Sequence, residues 1–299
     1  MDDRIDLTGR VAVVTGAGRG LGRAYAEGLA KAGAAVVVND LDEAVATEAV
    51  EAIRGAGGQA VAHVAAVGPT AAAEELVERA VAEFGRLDVM CTNAGALRDR
   101  TLLKMSDEDF DVVVDSHLRG TFTCGRAAAR RFREQGEGGR LILVGSPAGQ
   151  LGAFGQTAYA ASKAAIIALV RVWSVELAKY GITVNAVVPK ALTRMAATIP
   201  ALTEVVAQVE AGAPVPEHLR RQGTGTVEDV VPLVVFLSSA AAAGITGQYI
   251  GFGGDRLSVW AHPTEAFVTH RDGGWSAEQL AADFAGWTEH LQDHTRKPG

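Results

Sequence analysis

The sequence predicts an α/β fold: a doubly wound parallel sheet of about seven strands with helices on both faces. Three observations predict it. Short unbroken runs of β-branched residues alternate with helical stretches of about ten residues or more. Such runs read as strands buried on both faces, and their alternation with helices means βαβ units joined by right-handed crossovers. The first run leads straight into a glycine-rich turn and then a helix, the arrangement that opens a doubly wound sheet. Glycine is abundant, 35 of 299 residues, while aromatics make up 6%, and many tight turns with close backbone approaches suit that architecture.

The elements follow in order. Val11–Thr15 is an apolar run bounded by glycine, and Leu21–Lys31 has helical composition. Ala35–Asp40 and Glu43–Arg54 repeat the pair. Ala60–Val67, Leu87–Thr92, Arg140–Val144, Ile182–Val188 and Gln248–Phe252 read as further strands. Ala71–Phe84, Asp107–Glu134, Ala158–Lys179 and Val227–Leu237 read as the helices between them. Two parts break the alternation. Residues 190–226 carry Pro200, Pro214 and Pro216, with Ile199, Leu202, Val205, Val206 and Val209 at helical spacing. A long insertion beyond a strand's carboxyl end is where α/β proteins put substrate lids. Residues 255–299 hold Trp260, Trp275 and Trp287 and read as an extension packed on the domain or on a partner subunit. The expected division is therefore one domain over 1–254, lid included, and an extension over 255–299.

Composition excludes several function classes. Hydrophobic residues are 48% and charged residues 21%, which argues against bulk disorder. The 28 basic against 35 acidic residues give a net charge of −7, which argues against binding nucleic acid or an anionic membrane surface. No apolar stretch approaches the roughly 18 residues that span a bilayer. The N-terminal residues lack a basic region followed by an apolar one. Cys91 and Cys124 are too few for a disulfide framework and read as core thiols, so a cytoplasmic location is expected. His262, His270, His290 and His294 lack ligand spacing, and no metal site is expected.

The glycine-rich turn reads Thr15-Gly16-Ala17-Gly18-Arg19-Gly20-Leu21-Gly22. Its glycines allow backbone N–H groups to approach a pyrophosphate, and the following helix adds partial positive charge. With strand, turn and helix in sequence, the segment reads as a dinucleotide site. Asp40 stands twenty residues after Gly20, at the end of the second strand. A carboxylate there accepts hydrogen bonds from ribose hydroxyls and repels a 2′-phosphate, which favours NAD over NADP. Arg19 cuts the other way, because a guanidinium could neutralise a 2′-phosphate. The alternative for Asp40 is a turn or helix cap.

Tyr159 and Lys163 stand four apart at the start of a helical stretch, so they share a helix face. A neighbouring ammonium lowers a phenol's pKa from its usual value of about 10. A phenol so tuned can protonate a carbonyl oxygen or deprotonate an alcohol. Ser146 lies thirteen residues before Tyr159, and its hydroxyl can hold the same oxygen.

With these motifs together, the sequence resembles the short-chain dehydrogenase/reductase family over about residues 8–254. The matching residues are Thr15–Gly22, Asn93-Ala94-Gly95, Ser146, Tyr159 with Lys163, Asn185 before Pro189, and Thr246-Gly247-Gln248 leading to Gly253-Gly254. The resemblance implies a Rossmann fold with strand order 3-2-1-4-5-6-7. It implies Tyr159 as general acid/base, Ser146 as holder of the substrate oxygen, and Lys163 on the nicotinamide ribose. It places Asn93 on the adenosine side, with Ala94 and Gly95, and Thr193 at the nicotinamide amide beyond Pro189. A hydride then passes between nicotinamide and a substrate carbon. Family members pair through the Ala158–Lys179 helix and the long helix before it, so a dimer or tetramer is expected.

Four positions depart from the family pattern: Thr92 where an asparagine is usual, Ala66 where an acidic residue is usual, Lys190 after Pro189, and His117 where a catalytic asparagine is usual. Ala66 leaves the adenine a backbone contact from Val67. His117 can relay protons through water or simply stabilise its helix from a buried position. His117-Leu118-Arg119-Gly120, Val38-Asn39-Asp40-Leu41 and Arg194-Met195 are similar to the (3R)-hydroxyacyl-CoA dehydrogenase branch, near the 3-oxoacyl reductases. That branch implies a 3-hydroxyacyl or 3-oxoacyl thioester as substrate. Arg98, Arg100, Lys104, Arg194, Arg220 and Arg221 are candidates for its phosphates, against a plain solvated rim. A hydroxysteroid or other lipophilic alcohol is the alternative substrate. A non-catalytic NAD-binding sensor or scaffold is the alternative of another class, and the intact Ser146, Tyr159 and Lys163 speak against it.

Overall fold

In a computed structural model, residues 5–193, 195–199 and 201–291 are described. Arg194, Pro200 and His294, named above, lie outside the described residues. The chain divides into two compact units, Met1–Trp260 and Ala261–Gly299.

The first unit is the predicted alternation. Its elements run β1 (Val11–Thr15), α1 (Gly20–Lys31), β2 (Ala35–Asp40), α2 (Glu43–Gly55), β3 (Gln59–Val64), α3 (Thr70–Phe84) and β4 (Val89–Thr92). Then come α4 (Asp107–Val114), α5 (Gly120–Gln135), β5 (Gly139–Val144), α6 (Ala148–Leu151), α7 (Thr157–Leu177) and β6 (Ile182–Pro189). The unit ends with α8 (Thr203–Glu210), α9 (Glu217–Arg221), α10 (Val231–Ser238), β7 (Tyr249–Gly253) and β8 (Arg256–Val259). The sheet order is β3-β2-β1-β4-β5-β6-β7-β8, parallel up to β7. Alternate strand residues feed two cores, as a period of two requires. Ala12 and Val14 pack with α1, α2 and α10 on one face. Val11 and Val13 pack with α3, α5 and α7 on the other.

Among the described residues the sheet has eight strands, one more than the about seven expected, and the expected boundary at 254 lies inside a hairpin. Gly254, at φ +50, turns the chain, and Arg256–Val259 pairs antiparallel with β7 through Gly251↔Ser258. Apolar residues at 257 and 259 face outward, so the strand carries little hydrophobic signal. The predicted helix 107–134 is interrupted by a π-helical turn at Asp115–Arg119.

The segment Thr157–Tyr180 spans 24 residues at a mean hydropathy of 1.3, long and apolar enough to cross a membrane by length and composition. This corrects the expectation that no apolar stretch approaches that length. Its Ile166, Ile167 and Val170 lie in the core of the first unit, and its Lys163 is hydrogen-bonded to β5. Its Val172 and Val175 are exposed.

The second unit is held by aromatic contacts. Phe267 stacks on His290 at 4.2 Å, and Trp287 meets Trp275 and Phe284 edge-on. A capping box at Ser276 and Gln279 starts its helix, Ala277–Asp283.

Candidate active site

The glycine loop closes because its residues lack side chains. Gly16 and Gly20 take φ of +61 and +58, where other residues are strained. A Cβ on Gly22 would stand 2.1 Å from Gly16 O and 2.5 Å from Asn93 Nδ2. One on Gly18 would stand 2.4 Å from Val45 Cγ2 and 2.9 Å from Asp40 Oδ2. Arg19 gives α1 no side-chain cap, and the first turn, with Leu21 and Gly22, has no acidic residue. The leading N–H groups of a twelve-residue helix are thus free to meet an anion. The cradle fits a dinucleotide's phosphates.

Asp40 ends β2. Its Oδ2 accepts from Gly18 N at 2.9 Å and its Oδ1 from Asp42 N at 3.2 Å. Each oxygen keeps a further lone pair. The helix cap is Asp42, which accepts from Ala44 N and Val45 N. Asp42 also pairs with Arg19 at 2.7 Å. The guanidinium that could favour a 2′-phosphate therefore already has a carboxylate partner.

Asn93 was expected on the adenosine side, but its amide serves the protein. Nδ2 donates to Thr15 O at 3.0 Å and Gly16 O at 3.1 Å. The backbone N–H groups of Asn93 and Ala94 both donate to Thr15 Oγ1 at 3.0 Å. The residue ties β4 to the glycine loop. Asn185 plays a similar part lower in the sheet: it donates to Ile245 O and accepts from Gln248 N, seating β7 beside β6. Ala66 is exposed just beyond β3, and Val67 packs against Gly120, where a Cβ would meet its Cγ2 at 2.7 Å. Pro189 ends β6, and Thr193 Oγ1 accepts from Ala196 N at 3.2 Å, capping the turn that starts the 190–226 segment.

Ser146, Tyr159, Lys163 and His117 come together at the carboxyl ends of β4 and β5. Lys163 is buried, and its Nζ donates to Val144 O at 2.6 Å. Burial pushes its ammonium down to about 7. Nζ lies 5.6 Å from the centre of the Tyr159 ring. The phenol departs from expectation, because its pKa is raised rather than lowered. Burial raises it most, the Ser146 hydroxyl bonded to it lowers it, and the charge of Asp99 raises it. Asp99 accepts from Gln156 Nε2 at 2.8 Å, in the loop that precedes Tyr159. An ammonium that itself sheds its proton near neutrality holds the phenol down weakly.

His117 is buried, and its Nε2 lies 2.9 Å from Ala96 O. A carbonyl can only accept, so Nε2 carries the proton and Nδ1 is the bare nitrogen. The ring meets Tyr159 edge-on at 5.1 Å. Burial first, then the charge of Lys163, holds His117 well below the usual histidine range. It contacts the phenol as a neutral ring.

One residue at this site left no mark in the sequence reading. Tyr249 opens β7, and its hydroxyl holds both ends of Ser146: it accepts from Ser146 N at 3.0 Å and donates to Ser146 O at 2.9 Å. Its signal was a tyrosine opening the last parallel strand, Tyr-Ile-Gly-Phe-Gly. Of the cations considered for phosphates, Arg220 is bound by Asp229 and Asp255 and Arg221 by Glu217. Arg98 and Arg100 lie at a loose 3.9 Å from Asp109.

A buried lysine and a serine flanking one phenol, beyond a strand–glycine turn–helix cradle, can move a proton at a substrate oxygen. Residues 10–202 match the family model described as short chain dehydrogenase. The chain belongs to the short-chain dehydrogenase family. This dehydrogenase is 40% identical to hydroxyacyl-CoA dehydrogenase ChsB1 of Mycobacterium tuberculosis, over 97% of its own length and 89% of that protein's. It is 38% identical to a 3-oxoacyl-[acyl-carrier-protein] reductase of Synechocystis, over 81% of its length and 94% of that protein's. A crystal structure of a short chain dehydrogenase from Mycobacterium avium superposes with a TM-score of 0.83 at 35% identity, covering 96% and 97% of the two chains. The chain is an oxidoreductase acting on CH–OH groups with a nicotinamide cofactor.

Proposed function

We propose that this dehydrogenase interconverts a 3-hydroxyacyl and a 3-oxoacyl thioester with NAD(H). The acyl reading is supported by the rim of the site. Arg100 N donates to Gly155 O at 2.8 Å, tying the loop after β4 to the loop before α7. These loops and α6 carry Leu102, Leu103, Leu151 and Phe154, all exposed large apolar side chains. An acyl chain would cover them. Arg98, Arg100 and Lys104 on the first loop suit the phosphates of a thioester's carrier group such as CoA, and the names of the relatives agree. The preference for NAD is supported by Asp40, half-buried at the ribose end of the cradle, and by the Arg19–Asp42 pair.

The bound nicotinamide supplies or accepts the hydride. Tyr159 moves the proton at the substrate oxygen, and the Ser146 hydroxyl holds that oxygen. Lys163 lies beneath the phenol, anchored on Val144 O, where it can meet a ribose hydroxyl. His117 fixes the face of the Tyr159 ring. The exposed Val172 and Val175 on α7 and Phe122 on α5 support self-association through these helices. The 190–226 segment, with its own small core of Leu192, Val206 and Val215, supports the lid reading.

The test follows consumption of reduced nicotinamide with acetoacetyl-CoA, in parallel with NADH and NADPH. Turnover with NADH above NADPH is expected, and Tyr159→Phe should abolish turnover while cofactor binding persists. Turnover of a ketosteroid without any thioester would overturn the substrate assignment.

A further inference from the structure

Beside the catalytic serine lies a small, partly open cleft of about 30 Å³, whose lining includes neither Tyr159 nor Lys163. Pro147, the residue after Ser146, forms one wall; Lys190, Arg256, Ser258 and Trp260 contribute the polar groups. Arg256, Ser258 and Trp260 alternate along β8 and its end, so they face the same side. Gly251 leaves the room: a Cβ there would stand 2.5 Å from Ser258 Oγ and 3.5 Å from Trp260 Nε1.

The groups in this cleft are donors in search of an acceptor. No carboxylate lines it. The nearby carboxylates Asp229 and Asp255 are both held by Arg220. Lys190 Nζ donates to Gln222 O at 2.7 Å, which leaves it two further N–H groups. The indole N–H of Trp260 is shut off from solvent and has no hydrogen-bond partner. A buried donor left unpaired is costly, and its place beside a cleft flanked by two cations points to an anionic acceptor. We propose that the cleft is an oxyanion site that binds a carboxylate or phosphate group through Lys190, Arg256, Ser258 and Trp260. Burial, and after it the charge of Arg256, depresses the Lys190 ammonium, and an anion between them would relieve that repulsion. The site adjoins the chemistry: the Trp260 ring meets Tyr249 edge-on at 6.4 Å, and Tyr249 holds Ser146. The anion is either an acidic group carried by the substrate or a free anion that modulates turnover.

Inorganic phosphate titrated calorimetrically into the full chain, without substrate, tests this. Saturable, salt-sensitive binding is expected. Arg256→Gln should weaken it about tenfold, one charge-assisted hydrogen bond's worth, and the Lys190→Gln/Arg256→Gln pair should abolish it. Phosphate held at the glycine loop would be untouched by these changes. Arg256 is exposed, so its variant is expected to fold, and a melting curve checks this. Binding that is absent, or equally tight in the double variant, overturns the proposal. Phosphate that competes with the thioester marks a substrate-borne anion, whereas phosphate that alters kcat alone marks a free one. The calorimetric result does not depend on the thioester reading, so failure of either is seen separately.

Discussion

Tyr249→Phe removes one oxygen and tests whether the serine is held from behind. The hydroxyl makes two hydrogen bonds, to Ser146 N and Ser146 O, at 3.0 and 2.9 Å. Tyr249 is 4% exposed, so water does not easily replace them. Burial pushes its phenol up to about 12, which keeps it a donor throughout the working range. Losing both partners strands a backbone N–H and a C=O, at about 1–3 kcal/mol for each unsatisfied group. Allowing for relaxation, the loss is about 2–4 kcal/mol, or a fall in Tm of roughly 5–15 °C in a domain of this size. A serine no longer fixed should lower kcat about 10- to 100-fold. The cofactor's KM should hold, because the glycine loop is untouched. Thermal denaturation and steady-state kinetics on the same preparation read all three. A Tm and kcat equal to those of the parent would show that the β5 turn fixes Ser146 unaided and would refute the reasoning.

Three further outcomes follow from the geometry. Lys163 titrates at about 7 in the fold against 10.5 for a free lysine; between those values the unfolded chain holds more protons, so stability should rise with pH across that window. Lys163→Met should flatten that rise, and melting curves of the apoprotein taken across the window check it. Asp40→Ala should shift preference toward NADP and also loosen the loop, since Gly18 N loses its acceptor; the ratio of kcat/KM for the two cofactors reads the first, and an unmoved ratio would transfer selection elsewhere. A Cβ on Gly95 would stand 1.8 Å from His117 Cε1, so Gly95→Ala should cut activity sharply in the parent and little in a His117→Ala background. Additive losses in that double-mutant cycle would mean that the two residues act separately.

The inner strands were legible because they are buried on both faces and read as mostly apolar runs. Seven of the eight overlap the predicted segments. β8 was not legible: Arg-Leu-Ser-Val keeps its apolar residues on an exposed face. The π turn was hidden for another reason. Ser116 Oγ donates to Val112 O and Val113 O, and accepts from Ala96 N. It thus serves carbonyls that the wider register frees, and this depends on a loop distant in sequence. The site's residue types were legible by spacing, since Tyr159 and Lys163 lie one helical turn apart. Their pKa values were not. Proximity of an ammonium predicts a lowered phenol, whereas burial acts on both groups and wins.

The direction of all three shifts supports the acid/base role proposed for Tyr159. Burial raises the Tyr159 phenol, lowers the Lys163 ammonium to about 7 and holds His117 well below its ordinary range. Each group is driven toward its uncharged form, as a weakly polar environment requires. His117 then has one proton, on Nε2, and that nitrogen faces Ala96 O. Moving it would break a buried hydrogen bond, so the histidine is a poor relay despite its contact with the phenol. The proton positioned for a substrate oxygen at neutral pH is the one on Tyr159, with Ser146 beside it. A phenol that keeps its proton is an acid first. Carbonyl reduction should therefore hold its rate through neutrality, while alcohol oxidation, which needs the phenolate, should climb as pH rises. A pH–rate profile in both directions that showed the opposite slopes would remove Tyr159 from the role its position supports.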